Sequence, residues 1–224
     1  MLLQEMETYV INVSSEIVSS FIDAGHEAAR RGLMKCSSGN LSLRVDEARM
    51  LISASRSWLD RIGPDELSVC RIADGELIEG GRPSVETAFH AGILRIRPEV
   101  NVVLHFQSPC AAALVCMDQD TINYFVIPEI PYYLGPIGQV GYLKPGSREL
   151  AEAVVETVKG HDMAVLQNHG LVTVGRDFDQ VIQNAEFFEL ACSIILHGKN
   201  SVHPLAQEHV DEMLTLREEA KRGV

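Results

Sequence analysis

The sequence has no excess of basic residues and no run of Lys and Arg. Nineteen Lys and Arg stand against thirty-one Asp and Glu, which gives a formal net charge of −12. Binding to a nucleic-acid backbone requires clustered cations, so nucleic acid is not a predicted partner. A small phosphorylated ligand remains compatible with this charge, because backbone N–H groups and hydroxyls in one turn can bind an anion locally.

Long apolar runs are also lacking. No segment approaches the roughly 20 consecutive apolar residues that span a bilayer. Polar residues such as Gln4, Glu5 and Glu16 interrupt the first twenty residues, which have neither a basic start nor a continuous apolar centre. The sequence therefore predicts an N-terminal helix rather than a signal peptide, and no membrane partner.

Paired cysteines are the third absence. The five cysteines are scattered and contain no Cys-x-x-Cys pair, which favours a reducing compartment and hence the cytoplasm. What is present is ordinary globular composition, with 46% hydrophobic and 22% charged residues over 224 positions. Because repeats and linkers are missing as well, we expect one domain over residues 1–224.

Short strand patterns alternate with amphipathic helix patterns along the chain. Helical spacing of apolar residues predicts helices at residues 14–31, 85–96, 110–117, 149–159 and 179–197. Strands are predicted at residues 41–45, 50–52, 101–106, 163–166 and 171–174, with a hairpin and loop at 75–81. The helix at 179–197 is expected to be the last. These elements predict an α/β fold, a three-layer αβα sandwich with a central, mainly antiparallel sheet.

Four polar positions could carry chemistry. Glu86 and His90 are four residues apart, so both lie on one helix face, which suits metal ligands but also describes an ordinary surface pair. His105 ends an apolar strand, where it is either a ligand or a buried structural histidine. His169 lies in a turn between two strands, and Asn40 follows a glycine in another turn.

Five segments, in order, resemble the class II aldolase/adducin family, which includes fuculose-phosphate and rhamnulose-phosphate aldolases and ribulose-phosphate 4-epimerase. The matching segments are residues 38–42, residues 51–53 with the following loop, residues 83–86 with His90, residues 103–105 and residues 168–170. Each is weakly specific alone. All five occur in the family's order and spacing, and the resemblance extends over nearly the whole chain.

The resemblance implies a base and a metal site. Glu86 matches the family's base, and His105 and His169 match two of its three metal-binding histidines. The implied ion is divalent and usually zinc. Gln107 stands where the second histidine of a His-x-His pair belongs, so it either offers its amide oxygen or leaves the place to water. A harder ion such as manganese is an alternative to zinc.

The resemblance also implies a site for the substrate phosphate. Gly39, Asn40, Ser55 and Ser84 match family positions that bind this group, whereas Arg56 replaces a usual glycine. Arg56 either binds phosphate through its charge or is an ordinary exposed side chain.

A tyrosine that donates a proton to the aldehyde is implied as well. Tyr124 lies at a suitable distance along the chain, and Tyr132 and Tyr133 are competitors. In the family this tyrosine comes from a neighbouring subunit of a tetramer, so a homotetramer is expected. Glu129 and His161 are further candidates for the missing metal ligand.

The function implied first is a metal-dependent aldolase. It would cleave a ketose 1-phosphate, such as L-fuculose 1-phosphate, to dihydroxyacetone phosphate and an aldehyde through an enediolate. The alternatives are a pentulose-phosphate 4-epimerase, a sugar-phosphate dehydratase, and an adducin-like binding module without catalysis. Fold resemblance does not choose among them, because the chemistry depends on the site.

Overall fold

The structure, a computed structural model, describes residues 11–222. Within them the helices are α1 (Ser15–Arg30), α2 (Thr87–Ile96), α3 (Pro109–Leu114), α4 (Arg148–Thr157), α5 (Phe178–Gly198) and α6 (Gln207–Arg222). The strands are β1 (Asn40–Arg44), β2 (Arg49–Ser53), β3 (Leu67–Arg71), β4 (Leu77–Gly80), β5 (Val102–Phe106), β6 (Ile137–Val140), β7 (Met163–Leu166) and β8 (Gly170–Gly175). In this part of the chain, no helix is long and apolar enough to cross a membrane.

All eight strands form one sheet. Their order is β4-β3-β2-β1-β5-β8-β7-β6, and neighbours are antiparallel except β6 and β7. Strand β5 lies near the centre and is buried along its whole length. The predicted three-layer α/β fold with a mainly antiparallel sheet is therefore confirmed.

Each face of the sheet has its own hydrophobic core. Along β5 the side chains alternate, as the pleat requires: Leu104 and Phe106 join one core and Val103 joins the other. The first core includes residues of α1, α3 and α5. The second includes residues of α2 and α4. By the same alternation, His105 points to the face covered by α2.

Helix α1 shows why the predicted ends agree with the structure. Ser14 caps its N-terminus by accepting a hydrogen bond from the Ile17 N–H at 3.4 Å. At the other end, Gly32 adopts φ +80°, and the Leu33 N–H donates to the Ala28 carbonyl at 3.1 Å. This arrangement satisfies free carbonyls of the last turn, and glycine adopts the required left-handed conformation without strain.

Three elements are absent from the sequence prediction, each for a physical reason. Strand β3 is buried on both faces over most of its length, and the alternation of its side chains in polarity extends over only Leu67, Ser68 and Val69. Strand β6 consists of only four residues, one of them a glycine. Helix α6 follows the helix predicted to be the last, and its apolar stripe is short, with Val210, Met213 and Leu214 standing among many charged residues.

Two predicted helix starts differ from the structure. Helix α2 begins at Thr87 rather than at residue 85, and Glu86 is its N-cap residue. The helix predicted for residues 1–20 lies partly outside the described residues. Within them, α1 begins at Ser15 and the segment 11–14 is not helical.

Candidate metal and base site

Three predicted residues meet in space. The Nε2 atom of His105 lies 3.3 Å from Oε2 of Glu86, and Nε2 of His169 lies 3.3 Å from Oε1 of the same carboxylate. One potential ligand atom from each residue lies within 4.8 Å of the others. The side chains of His105, Glu86 and His169 are 1%, 6% and 9% exposed, so the cluster is almost shielded from water.

The backbone of β8 orients His105. Its Nδ1 atom lies 2.8 Å from the Leu171 carbonyl oxygen. A carbonyl only accepts hydrogen bonds, so Nδ1 carries the proton and donates it. In the neutral ring Nε2 then carries the lone pair, and it faces Glu86, as a metal ligand must. The ring also packs edge-on against Phe89, with the ring centroids 5.9 Å apart.

His169 is held in the tight turn between β7 and β8. Its backbone N–H donates to the Leu166 carbonyl at 3.0 Å, and Asn168 adopts φ 55°. A Cβ on Gly170 would lie 2.9 Å from the Phe106 carbonyl oxygen, so only glycine allows this turn to approach β5 so closely. Burial and then the neighbouring His105 lower the pKa of His169, against the opposing effect of Glu86. The neutral form, which binds metal, is thereby favoured.

The donor set fits a divalent cation. Two imidazoles and a carboxylate converge, a combination found in metalloenzyme sites. The Oε1 atom of Glu86 is buried and has no hydrogen-bond partner among residues 11–222. A buried charged oxygen without a partner is energetically costly, and a cation would satisfy it.

A hydrogen-bonded chain fixes the other oxygen of Glu86. The Asn40 amide nitrogen donates to Oε2 of Glu86 at 2.9 Å, and the amide oxygen of Asn40 contacts Nε2 of His90. On the far side of the ring, Nδ1 of His90 lies 2.7 Å from the Ser42 hydroxyl oxygen. Asn40, Ser42 and His90 are all buried.

The chemistry of the groups determines which one donates and which one accepts in each of these hydrogen bonds. The Glu86 carboxylate accepts, so the NH₂ end of Asn40 must face it and the amide oxygen must face His90. His90 therefore carries its proton on Nε2, and its Nδ1 accepts from Ser42. Burial and then His105 place the pKa of His90 well below its ordinary value, which agrees with a neutral ring. Oε2 of Glu86 is thus tethered, and Oε1 is the oxygen left for chemistry.

Gly39 allows β1 to approach β5 beside the cluster. It adopts φ +79°, and a Cβ there would lie 2.6 Å from the His105 carbonyl oxygen, closer than side chains tolerate. Gly39 and Asn40 were expected to bind the substrate phosphate. The structure gives Gly39 a role in strand packing and commits the Asn40 side chain to Glu86 and His90. A contact between phosphate and their backbone stays a prediction.

The remaining predicted phosphate residues lie on two adjoining loops. The Ser55 N–H donates to the Arg82 carbonyl at 2.8 Å, which holds the loop after β2 against the loop that precedes α2. Ser84 is buried, and its hydroxyl oxygen accepts from the Glu86 N–H at 3.3 Å. Arg56 is exposed and adopts φ 68°, a conformation typical of the glycine that it replaces.

Gln107 lies beside the His169 turn. Its Cγ atom is 2.9 Å from the position of a Cβ on Gly170. The same position lies 3.0 Å from Cε1 of His105, so Gln107 and the His105 ring lie beside the same point of this turn. Its ligation of the metal stays a prediction. Neither Glu129 nor His161 belongs to the metal cluster of residues 11–222.

The structure does not bring Tyr124 to this site. Tyr124 is 5% exposed and belongs to the core on the opposite face of the sheet. Its hydroxyl donates to the Gln119 side-chain oxygen at 2.6 Å, and its ring packs on Phe188. Burial raises the pKa of the Tyr124 phenol above its ordinary value. This environment argues against proton donation, either here or to a neighbouring copy.

Sequence reasoning missed Ser42 as a site residue and gave His90 only a possible role beside Glu86. Both could have been found from periodicity. Ser42 is two residues after Asn40 on the same face of β1, and His90 is four residues after Glu86. What periodicity does not reveal is that these two faces touch.

Comparison with known proteins identifies the family of the chain. Residues 19–196 match the family described as Class II Aldolase and Adducin N-terminal domain. The 3-oxo-tetronate 4-phosphate decarboxylase of Escherichia coli is 30% identical over 203 residues, which are 89% of this chain and 92% of that protein. The L-fuculose phosphate aldolase of Methanococcus vannielii is 32% identical over 172 residues, or 77% of this chain and 91% of that protein.

A solved structure is similar over its whole length. YgbL from Klebsiella pneumoniae, described as an aldolase/epimerase/decarboxylase without a choice among them, superposes with a TM-score of 0.82 at 25% identity. The alignment covers 90% of this chain and 99% of that one. The fold and the Glu86 cluster define a lyase of the metal-dependent type. The chain belongs to the class II aldolase and adducin family and is an enzyme of that family.

Proposed function

We propose that this protein decarboxylates a four-carbon 3-oxo sugar acid phosphate of the 3-oxo-tetronate 4-phosphate type. The decarboxylase relatives support this reaction because they align over most of both chains. The observation that carries the choice is the breadth of that alignment, which covers 89% of this chain for the Escherichia coli decarboxylase and 77% for the Methanococcus vannielii aldolase. Aldol cleavage also needs a group that takes the proton of the C4 hydroxyl, and Tyr124, buried in the core away from the site, is not that group.

The reaction balances with the groups present. Breakage of the C1–C2 bond releases carbon dioxide and leaves the electron pair at C2, delocalised onto the C3 oxygen as an enediolate. Protonation at C2 then gives dihydroxyacetone phosphate. A divalent ion held by His105, His169 and Glu86 supplies positive charge that stabilises the developing negative charge on oxygen.

Glu86 is the proton donor to carbon in this proposal. Asn40 tethers Oε2 of Glu86, so Oε1, when it is not bound to the ion, is the oxygen that takes a proton from solvent and delivers it to C2. His90 and Ser42 act as positioning residues, because they fix which end of the Asn40 amide faces the carboxylate. The low exposure of the cluster excludes water that would compete for the proton.

The substrate phosphate is assigned to the two loops beside Glu86. Ser55 and Ser84 offer hydroxyls there, and Arg56 offers a positive charge from an exposed position. The left-handed backbone at Arg56 resembles the turns in which successive N–H groups form an anion-binding concavity.

A second candidate is aldol cleavage of a ketose 1-phosphate. The fuculose-phosphate aldolase relative favours it, and the chemistry overlaps, since cleavage between C3 and C4 leaves the same enediolate and releases an aldehyde instead of carbon dioxide. In both reactions Glu86 would protonate the same carbon. The two candidates differ in the leaving fragment and in the need, for aldol cleavage only, of a group that takes the proton of the C4 hydroxyl.

The test measures the fragment released, carbon dioxide or an aldehyde, together with dihydroxyacetone phosphate. Purified enzyme with added zinc or manganese is given 3-oxo-tetronate 4-phosphate in one assay and L-fuculose 1-phosphate in another. We expect carbon dioxide and dihydroxyacetone phosphate from the first substrate at the higher kcat/KM. Faster aldehyde release from the second would replace the decarboxylase proposal by the aldolase. Turnover of neither substrate would remove both.

Glu86→Gln separates catalysis from binding. Replacement of a group that transfers a proton lowers kcat by about 10²- to 10⁴-fold, whereas Glu47→Gln, at an exposed glutamate, serves as the matched control and should leave kcat unchanged. Full activity in Glu86→Gln would assign the proton transfer to another residue.

The metal, the assembly and the compartment are further parts of the proposal. Zinc is the first choice, and manganese the second because Gln107 offers a harder ligand than imidazole. We propose a homotetramer in the cytoplasm. Val85, next to Glu86 in the chain, is 57% exposed, which supports a covered surface near the site. All five cysteines are free, which supports the cytoplasm. Light scattering that finds an active monomer would contradict the tetramer.

A further inference from the structure

The loop between β6 and α4, residues 141–147, starts beside the turn that carries His169. Strand β6 ends at Val140, which pairs with Leu166 at the end of β7, and the Gln167 N–H donates to the Val140 carbonyl at 2.9 Å. His169 follows two residues later in the chain. The loop therefore leaves the sheet at the same edge as the metal cluster.

The other end of this loop is held next to Glu86 by a β-turn. The Ser147 N–H donates to the Lys144 carbonyl at 3.0 Å, and Gly146 adopts φ +73°, the conformation of glycine at the third position of a type II turn. A Cβ on Gly146 would lie 3.2 Å from Cβ of Val85, the residue before Glu86. The backbone of Lys144, the first residue of the turn, is therefore fixed at the border of the metal site.

The ammonium group of Lys144 has no partner within the chain. Lys144 is exposed, and none of the ion pairs within residues 11–222 includes it. Its own loop contains no Asp or Glu. The acidic residues that follow first in the chain are Glu149 and Glu152 of α4, and Glu152 pairs with Arg148 at 2.6 Å. A lysine ammonium is a compact charge on a flexible stem, so that of Lys144 is available to an anionic ligand.

The proposed phosphate loops lie on the other side of the metal cluster. In the sheet, the strand that precedes Ser55, β2, stands on one side of β5, whereas β8, β7 and β6 stand on the other side. His105 lies on β5, and His169 lies between β7 and β8. The metal cluster is therefore between the Ser55 loop and the Lys144 loop. A ligand that is bound to the ion with its phosphate near Ser55 extends its opposite end toward Lys144.

We propose that Lys144 binds the carboxylate of the substrate and thereby favours a sugar acid phosphate over a sugar phosphate that has no carboxylate. This inference rests on the proposed function, in which the phosphate is bound near Ser55 and Ser84. The carboxylate and the phosphate of a 3-oxo-tetronate 4-phosphate are at opposite ends of its carbon chain, as the two loops require.

Lys144 acts on substrate binding and is not a catalytic residue. The carboxylate loses its charge as carbon dioxide leaves, so its ion pair with Lys144 is strongest before the C1–C2 bond breaks. Removal of an interaction made in the bound substrate raises KM. We therefore expect Lys144→Gln to raise KM for the 3-oxo acid without lowering kcat.

Two ligands separate the two ends of the substrate in isothermal titration of the full chain loaded with zinc or manganese. A tetronate 4-phosphate has the carboxylate and the phosphate but lacks the 3-oxo group that decarboxylation needs, and dihydroxyacetone phosphate has the phosphate alone. Lys144→Gln should bind the tetronate 4-phosphate about fivefold more weakly, which is about 1 kcal/mol and the upper range for an exposed ion pair. The same variant should bind dihydroxyacetone phosphate with wild-type affinity.

Two further variants control for charge and position. Lys144→Arg keeps the positive charge and should restore most of the affinity for the tetronate 4-phosphate. Lys159→Gln removes a positive charge from an exposed lysine just beyond the opposite end of α4. This variant should bind both ligands as the wild type does.

Three outcomes would overturn the proposal. They are wild-type affinity of Lys144→Gln for the tetronate 4-phosphate, an equal loss of affinity for both ligands, which would assign Lys144 to the phosphate, and no binding of the tetronate 4-phosphate by the wild type. These titrations involve no turnover. The expected binding pattern without release of carbon dioxide from the 3-oxo acid would therefore contradict the proposed reaction and leave the role of Lys144 in place.

Discussion

Gly39→Ala tests whether the approach of β1 to β5 builds the metal site. Gly39 adopts φ +79°, and an added Cβ would lie 2.6 Å from the His105 carbonyl oxygen. Backbone atoms cannot rotate away as a side chain can, so the two strands must separate at His105. Gly32→Ala is a matched control, because Gly32 adopts φ +80° and a Cβ there meets nothing within 4 Å.

The two substitutions share one cost and differ in another. A non-glycine residue in the left-handed region costs about 1–2 kcal/mol, and both variants incur this. Steric overpacking adds about 1–3 kcal/mol in Gly39→Ala only. The free energy of unfolding should therefore fall by about 1–2 kcal/mol in Gly32→Ala and about 2–5 kcal/mol in Gly39→Ala.

The site itself provides the second measurement. Urea unfolding gives the stability, competition with a chelator gives the metal affinity, and kcat gives the activity. Separation of β1 from β5 moves Asn40 relative to His105, so Gly39→Ala should lose metal affinity and turnover while Gly32→Ala keeps both. Equal stability losses together with unchanged metal affinity in Gly39→Ala would refute the argument and return Gly39 to a role in phosphate binding alone.

Three further predictions concern single side chains. Gln107→His should tighten zinc binding, measured by chelator competition, because imidazole is the better ligand; unchanged affinity would place Gln107 outside the coordination sphere. Ser42→Ala leaves Nδ1 of His90 without its donor, so urea unfolding should show a loss of about 1–3 kcal/mol with metal affinity retained; lost metal would contradict a positioning role. Burial raises the pKa of Asp162, whereas Lys221 and the neighbouring arginines lower it by a larger amount. The net pKa lies below the ordinary value of an aspartate. The contribution of ionised Asp162 to the free energy of unfolding is therefore complete above about pH 4 and is lost at lower pH. Asp162→Asn should lower the free energy of unfolding by about 3–5 kcal/mol at neutral pH and should weaken its dependence on pH in acid. An unchanged pH dependence would contradict this prediction.

The residues of the metal cluster could be identified from the sequence because their chemistry is local. His105 ends an apolar strand, His169 lies between asparagine and glycine in a turn, and Glu86 follows a proline-serine start. Each residue type and its neighbours are visible without knowledge of the fold. The layered architecture was predictable for a similar reason, since strand and helix periodicities are properties of short segments.

Contacts between distant segments depended on the tertiary structure. The chain from Ser42 through His90 and Asn40 to Glu86 exists only because α2 covers the face of β1 that carries Asn40 and Ser42. No local sequence pattern predicts which face of a strand a helix will cover. The sequence indicates that these residues are polar in apolar surroundings, and the fold decides that they satisfy one another.

The surroundings of Tyr124 and Arg217 could not be predicted from the sequence either. Tyr124 stands at a suitable distance along the chain, but the irregular segment around it carries no periodicity, and packing on Phe188 turns it away from the site. Arg217 lies on a helix too polar to predict, yet it meets Asp162 from 55 positions away. Residue type and short-range spacing are encoded locally and can be read directly. Which side of the sheet a side chain faces, and which distant charge it meets, is decided only when the layers pack.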